Sequence, residues 1–221
     1  MESVGDGPRV KYALRRLGAP ELPHTALREA LAAALRSLEE AGCCPVLDDG
    51  LAAGNGAVCT PDGALLVSPS GRPPGHFAPD DLVELVAFDA ERWAATYRSH
   101  DPALRPTSDA ALHWAALIEA PRALGWAEAP GASLHGHVLQ TTRAAEVLGL
   151  PLSVEATLFS TPADRQALLE LLARAPYPAH RTVIRRDHGF FTLGPDLPGT
   201  TAAVRELATR ARAHALLPAI R

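Results

Sequence analysis

Short apolar runs joined by tight turns recur along this chain between segments of helical period, and that succession limits the folds open to it. In AVCTPDGALLVSPSG (57–71), two such runs meet at Pro61-Asp62-Gly63, a hairpin signature because glycine supplies the positive φ of a tight reversal. DLVELVAFDAERWAATYRSH (81–100) reads as a strand pair turning near Asp89, and RTVIRRDHGFFTLG (181–194) as another. Between them, HTALREALAAALRSLEEAG (24–42) repeats leucine at 27, 31, 35 and 38, the period of an amphipathic helix that Thr25 can cap and Gly42 stop. Further helices are expected from Pro106-Thr107-Ser108-Asp109 to about Ala120, around TTRAAEVLG (141–149), over ADRQALLELLARA (163–175) and over TTAAVRELATRARAHALL (200–217). SLHGHVLQ (133–140) and LSVEATLF (152–159) read as single strands, and LDDGLAAGNG (47–56) as a glycine-rich loop. Helices and hairpins interspersed over one length predict a single layered α/β domain, residues 24–221, whose sheet is largely antiparallel. Residues 1–23, rich in glycine, proline and charge, are expected to form an arm or tail lying across a neighbour.

Composition narrows the function classes. A chain of 221 residues, 47% apolar and 21% charged, can bury a substantial core. A formal net charge of −4 gives no electrostatic reason to expect nucleic acid or an anionic membrane surface. No apolar run approaches a membrane span and the first residues lack a signal-peptide core, so the expected place is the cytoplasm. Cys43, Cys44 and Cys59 show no CxxC spacing and read as small buried apolar residues.

The chemistry-bearing residues are histidines. In a strand, His135 and His137 project from one face with Cα atoms roughly 6.6 Å apart, so two imidazoles can converge on one ion. The same spacing also suits a strand carrying two solvated histidines, and a zinc site needs three or four ligands. His188 in RRDHGFF is the best additional candidate, beside a glycine that permits a tight turn or close backbone approach. His113, on a helix face, and His180, in a proline-rich loop, read as surface or core histidines. Asp109 offers a carboxylate at a helix start, where it either serves chemistry or complements the helix dipole. GLAAGNG and SPSG are small-residue loops that could present N–H groups to a phosphate. No G-x-S-x-G elbow supports a serine hydrolase.

Taken in order, the glycine loop with its asparagine, LLVSPSG, DLVELVAFD, RPTSDAALHWAAL, SLHGHVLQ and RRDHGFFTLG resemble the motif succession of the class II aldolase/adducin family over residues 25–217. The resemblance implies a three-layer α/β/α domain with a mostly antiparallel central sheet, assembled as a homotetramer with active sites between subunits. It implies Zn²⁺, or another divalent metal, on His135, His137 and His188, with Asp109 as acid/base. Phosphate would be cradled by Gly54 and Asn55, by Ser70 and Gly71, and by Thr107 and Ser108. Some positions depart from the family's pattern. Asp109 stands where the family has glutamate, Ala53 and Ala57 stand where it has hydroxyl donors, and no tyrosine follows Tyr177.

The function implied is a metal-dependent lyase that cleaves a C–C bond of a ketose phosphate or related hydroxy-ketone through a metal-stabilised enediolate. An epimerase, dehydratase or decarboxylase of the same family is the alternative. A non-catalytic adducin-like interaction domain is the third reading, and retention of all three histidines argues against it.

Overall fold

The computed structural model describes residues 10–18, 22–46, 53–71 and 73–218. Its elements are β1 (Ala13–Arg16), α1 (Thr25–Glu40), β2 (Gly54–Cys59), β3 (Leu65–Val67), β4 (Val83–Asp89), β5 (Ala94–Arg98), α2 (Ala110–Trp114), α3 (Ala120–Ala123), β6 (Ala132–Gly136), α4 (Thr142–Leu148), α5 (Pro162–Arg174), β7 (Thr182–Arg185), β8 (Gly189–Gly194) and α6 (Leu197–Ala213). A π turn over Ala115–Glu119 joins α2 to α3 ahead of Pro121, which has no N–H to give a regular helix.

The eight strands among the described residues form one sheet, ordered β1-β5-β4-β3-β2-β6-β8-β7. Period-two alternation sends neighbouring side chains to opposite faces, and each face acquires its own apolar layer. Leu65, Val67, Val183 and Phe191 meet α2, α3 and α5 through Leu112, Ala120, Leu168, Leu171 and Leu172. Leu66, Leu134, Ile184 and Phe190 meet α1, α4 and α6 through Leu31, Leu35, Leu38, Leu148, Val204 and Leu207. Helices thus cover both faces, in three layers.

The three expected hairpins are present: β2–β3 around Pro61-Asp62-Gly63, β4–β5 after Asp89, and β7–β8 across Arg186-Asp187-His188. Other expectations need correction. The sheet, expected to be mostly antiparallel, is mixed: β1 runs parallel to β5 at one edge, while every other neighbouring pair among the described residues is antiparallel. Residues 13–16, within the stretch expected as an arm, therefore complete the chain's own sheet; residues 1–9 and 19–21 lie outside the described residues. Tyr12 fastens this edge, its hydroxyl donating to Thr107 O at 2.6 Å. Gly54–Gly56, expected as loop, begin β2, and residues 47–52 lie outside the described residues. Thr25 is the first helical residue of α1, and its N-cap is His24, with no side-chain cap bond. LSVEATLF is not a strand: beyond a single parallel bridge from Leu152 to Ile184, it forms a loop with Val154 70% exposed and Leu158 47% exposed. Its alternation has no second apolar layer to bury against.

Candidate metal centre

Three neighbouring segments bring the candidate ligands together. His135 lies in β6 and His137 one residue beyond its end; His188 lies in the β7–β8 turn, and Asp109 is the N-cap residue of α2. One ligand atom from each falls within 4.8 Å of all the others. Asp109 Oδ2 is 3.6 Å from His135 Nε2 and 4.0 Å from His137 Nε2, while its Oδ1 is 3.5 Å from His188 Nε2. Two ligands on a tetrahedral zinc ion lie roughly 3.3 Å apart, given metal–ligand distances near 2 Å, so these separations are close to what one ion requires.

Glycines make the approach possible. A Cβ at Gly136 would meet the Phe190 ring at 2.6 Å, and one at Gly189 would meet Gly136 O at 2.1 Å and His137 Cα at 2.9 Å. Gly189 also has φ +127°, a conformation that L side chains rarely adopt. The close backbone approach expected beside His188 is therefore present, and it draws β8 and its turn onto the end of β6.

The hydrogen bonds fix which atoms face the site. His135 Nδ1 lies 2.7 Å from Phe190 O, which can only accept, so Nδ1 carries the proton and Nε2 keeps its lone pair. Its ring stacks on Phe191 at 4.2 Å. Asp109 makes no side-chain cap bond to α2, so its carboxylate does not serve as a helix cap. Instead Oδ2 accepts from Asn55 Nδ2 at 2.6 Å, which turns Asn55 Oδ1 toward His113 Nε2, also at 2.6 Å. An amide oxygen only accepts, so His113 carries its proton on Nε2 and takes the Ser133 hydroxyl at Nδ1, 2.7 Å away. The result is a buried relay from Ser133 through His113 and Asn55 to Asp109. The sequence alone assigns His113 no role. Its place four residues after Asp109, on the same helical face, is the available signal.

Charge follows the same geometry. Burial alone would raise the Asp109 carboxyl, but His188, His137 and His135 around it outweigh that and hold it well below the ordinary range. Burial, with His137 adding to it, pushes His135 well below the usual histidine value, and the nearby Asp109 only partly opposes them. Burial drives His113 down to about 4, so it stays neutral. His188 goes the other way: burial would lower it, but Asp109 and Asp164 raise it to about 9.

Asp109 Oδ1, His135 Nε2 and His188 Nε2 are all buried with no hydrogen-bond partner. Buried polar atoms left unpaired are costly, and several of them converging on one point is what a cation would resolve. The donor set, three imidazoles and one carboxylate, fits a divalent metal.

All six residues expected at a phosphate, Gly54, Asn55, Ser70, Gly71, Thr107 and Ser108, line one cleft with Ala53, Pro69, Asp109 and His137. Its two walls are knitted together: Ser70 N–H donates to Arg105 O at 2.9 Å and Thr107 N–H to Ser68 O at 3.0 Å. Those two backbone donors are therefore engaged, as is the Asn55 amide. The three cysteines are free and lie outside the cluster, and burial pushes all three thiols up, Cys43 to about 12 and Cys59 to about 11. No helix among the described residues is long and apolar enough to cross a membrane.

Fold and cluster together define a mixed α/β domain carrying a His₃Asp group able to bind a metal. The family model of the class II aldolase and adducin N-terminal domain matches residues 29–215, and the chain belongs to that family. Among solved structures it is similar to YgbL from Klebsiella pneumoniae, a protein described by three alternative activities, aldolase, epimerase or decarboxylase. That pair has a TM-score of 0.64 at 22% identity, covering 87% of this chain and 90% of that one. It is similar to L-fuculose-1-phosphate aldolase from Thermus thermophilus, with a TM-score of 0.56 at 19% identity over 87% and 96% of the two chains. It is also similar to a sugar-phosphate aldolase from Thermotoga maritima, with a TM-score of 0.61 at 14% identity over 85% and 92%. Among curated proteins, none matches this chain.

Proposed function

We propose that this chain is a zinc-dependent lyase of the class II aldolase type, cleaving the C–C bond of a ketose phosphate or related hydroxy-ketone. The observation that carries the reading is the meeting of unpartnered, buried Asp109 Oδ1, His135 Nε2 and His188 Nε2 in one cluster with His137. The three histidines would hold the ion, with Asp109 as the exchangeable fourth ligand. Zn²⁺ bound there supplies Lewis acidity toward the carbonyl and neighbouring hydroxyl oxygens of the substrate.

Asp109, ionised and buried, moves the proton at the substrate carbon beside the carbonyl. Asn55 holds Oδ2, and His113 holds Asn55, so the proton-carrying oxygen is Oδ1. The Ser70, Thr107 and Ser108 hydroxyls and the backbone at Gly54 and Gly71 receive a phosphate or another anionic end of the substrate. Asn55, expected to join them, acts on Asp109 instead. The working unit is a homotetramer in the cytoplasm, residues 24–221 forming the catalytic domain together with strand β1.

A second reading keeps the metal and the proton transfer but ends in epimerisation, dehydration or decarboxylation of a phosphate-free substrate. Ala53 and Pro69 in the cleft wall, and the engaged N–H groups of Ser70 and Thr107, favour it. The experiment is a screen of the zinc-loaded protein against ketose phosphates and phosphate-free hydroxy-ketones. Aldehyde release supports the lyase, turnover without aldehyde supports the second reading, and inactivity on every substrate with metal bound contradicts both.

A further inference from the structure

His188 Nε2 faces Asp109, but its other nitrogen, Nδ1, lies 3.4 Å from Oδ2 of a second buried carboxylate, Asp164. Asp164 belongs to the first turn of α5, outside the metal cluster, and is fully buried. Its surroundings specify how it is used. Oδ1 accepts from Arg185 Nη2 at 2.6 Å and from the Thr157 hydroxyl at 3.0 Å. Oδ2 accepts the Ser160 N–H at 3.3 Å, which leaves its remaining acceptor capacity turned to His188. Arg185 is itself fully buried, and Thr157 and Ser160 sit in the loop that replaces the expected strand.

A buried ion pair is a poor device for stability alone, because desolvating both charges offsets most of their attraction. Here it fixes the position of a carboxylate behind a ligand. An imidazole that gives one nitrogen to a metal must carry its proton on the other, and that N–H needs an acceptor. His135 has the Phe190 carbonyl for this purpose. At His188 the acceptor within reach is Asp164.

We propose that Asp164, held by Arg185 and Thr157, is a positioning residue for His188: its Oδ2 takes the Nδ1–H, fixing the tautomer and ring orientation that present Nε2 to the metal. The proposal rests on the reading that the three histidines bind a metal. Its test therefore reads metal affinity and ring protonation rather than turnover.

Zn²⁺ and Co²⁺ affinities are measured by chelator competition for the unmodified protein, Asp164→Asn and Arg185→Met, each checked for fold by circular dichroism. Asp164→Asn should still bind one ion per chain but about 10- to 100-fold more weakly, with an altered Co²⁺ absorption spectrum. If Asp164 serves only to pair Arg185, both variants lose stability while the affinity of each stays at the unmodified value, and the proposal is overturned. Should either variant fail to fold, nitrogen-15 NMR of the unmodified zinc-loaded protein decides. Protonated Nδ1 with metal-bound Nε2 at His188 supports the assignment; metal on Nδ1, or an Nδ1 proton exchanging freely with water, overturns it. An unmodified protein that takes up no metal overturns the underlying site reading together with this proposal, and is recognised by the absence of any chelator-sensitive binding.

Discussion

The two flanks of the cluster anchor chemically identical ligands in opposite ways. On the β6 flank, His135 is tied to a backbone carbonyl and stacked on Phe191, and burial keeps its ring uncharged despite the nearby Asp109. On the flank of the β7–β8 turn, His188 lies between two carboxylates, Asp109 and Asp164, and holds a proton up to about pH 9. Burial is similar, with His135 at 0% and His188 at 4% exposed, so burial does not set the difference. The group at the other nitrogen does: both rings face Asp109 through Nε2, but at Nδ1 His135 meets a carbonyl dipole whereas His188 meets a second full charge. The metal-free site therefore already carries one cation, the His188 imidazolium, where the ion is expected.

The largest effect expected from disturbing this comparison comes from Asp109, which faces both flanks. Asp109→Asn should keep the fold and the metal but lower turnover by roughly two to four orders of magnitude, because an amide cannot carry the proton. In the metal-free protein, the same change should bring the His188 titration down from about 9, since the first of its two charge partners is gone. Steady-state kinetics and histidine NMR check the two halves. Near-normal turnover would remove Asp109 from the chemistry.

The next effect is a dependence on pH. Zinc must displace the His188 proton but none from His135, so near pH 7 binding should release a proton from the His188 flank and none from His135. Apparent affinity should then fall about tenfold for each pH unit below the His188 value of about 9. The sign for stability follows from the raised pKa. In the metal-free protein, the His188 contribution is fully present below its unfolded value near 6.5 and is lost as pH rises through about 9. Calorimetric titration in buffers of different ionisation enthalpy counts the protons, with histidine NMR assigning them to rings; release of none, or release of one from His135, would erase the contrast between the flanks.

These differences explain which parts of the chain are legible in its sequence. The hairpins, the long amphipathic helices and the succession of Asp109, His135, His137 and His188 follow from local turn chemistry, period and motif order. The misread elements depend on distant partners. Residues 13–16 become a strand only because β5 offers a free edge, a fact with no local signature. LSVEATLF alternates like a strand, yet Val154 and Leu158 face outward while Thr157, and Ser160 just past its end, bind Asp164. His113, Asp164 and Arg185 escape a reading of the sequence for the same reason: each acts through a residue far away in the chain, His113 through Asn55, Asp164 through His188 and Arg185 through Asp164. Asn55 is recognisable as a site residue but its motif points to a phosphate, because sequence shows that an amide is present and not where its hydrogens point.

Smaller effects sharpen the picture on the Asp109 side. Asn55→Ala should leave the His113 Nε2–H buried without an acceptor and cost about 1–3 kcal/mol in urea unfolding, with metal still bound. Unchanged stability would mean that the Ser133–His113–Asn55 relay carries no weight. The smallest expected change is in the cleft. Inorganic phosphate at millimolar levels should inhibit competitively, and Ser108→Ala should weaken that inhibition by a few-fold, roughly the loss of one exposed hydrogen bond. Indifference to phosphate would favour an unphosphorylated substrate.

The central claim, that three histidines form one metal site, is tested most directly by elemental analysis of zinc-reconstituted, dialysed protein beside His137→Ala. His137 stands just past the end of β6 with its side chain 20% exposed, so its loss should leave the fold intact. The account predicts one zinc ion per chain in the unmodified protein and none retained by the folded variant. A His137→Ala protein that remains fully loaded with zinc would contradict it.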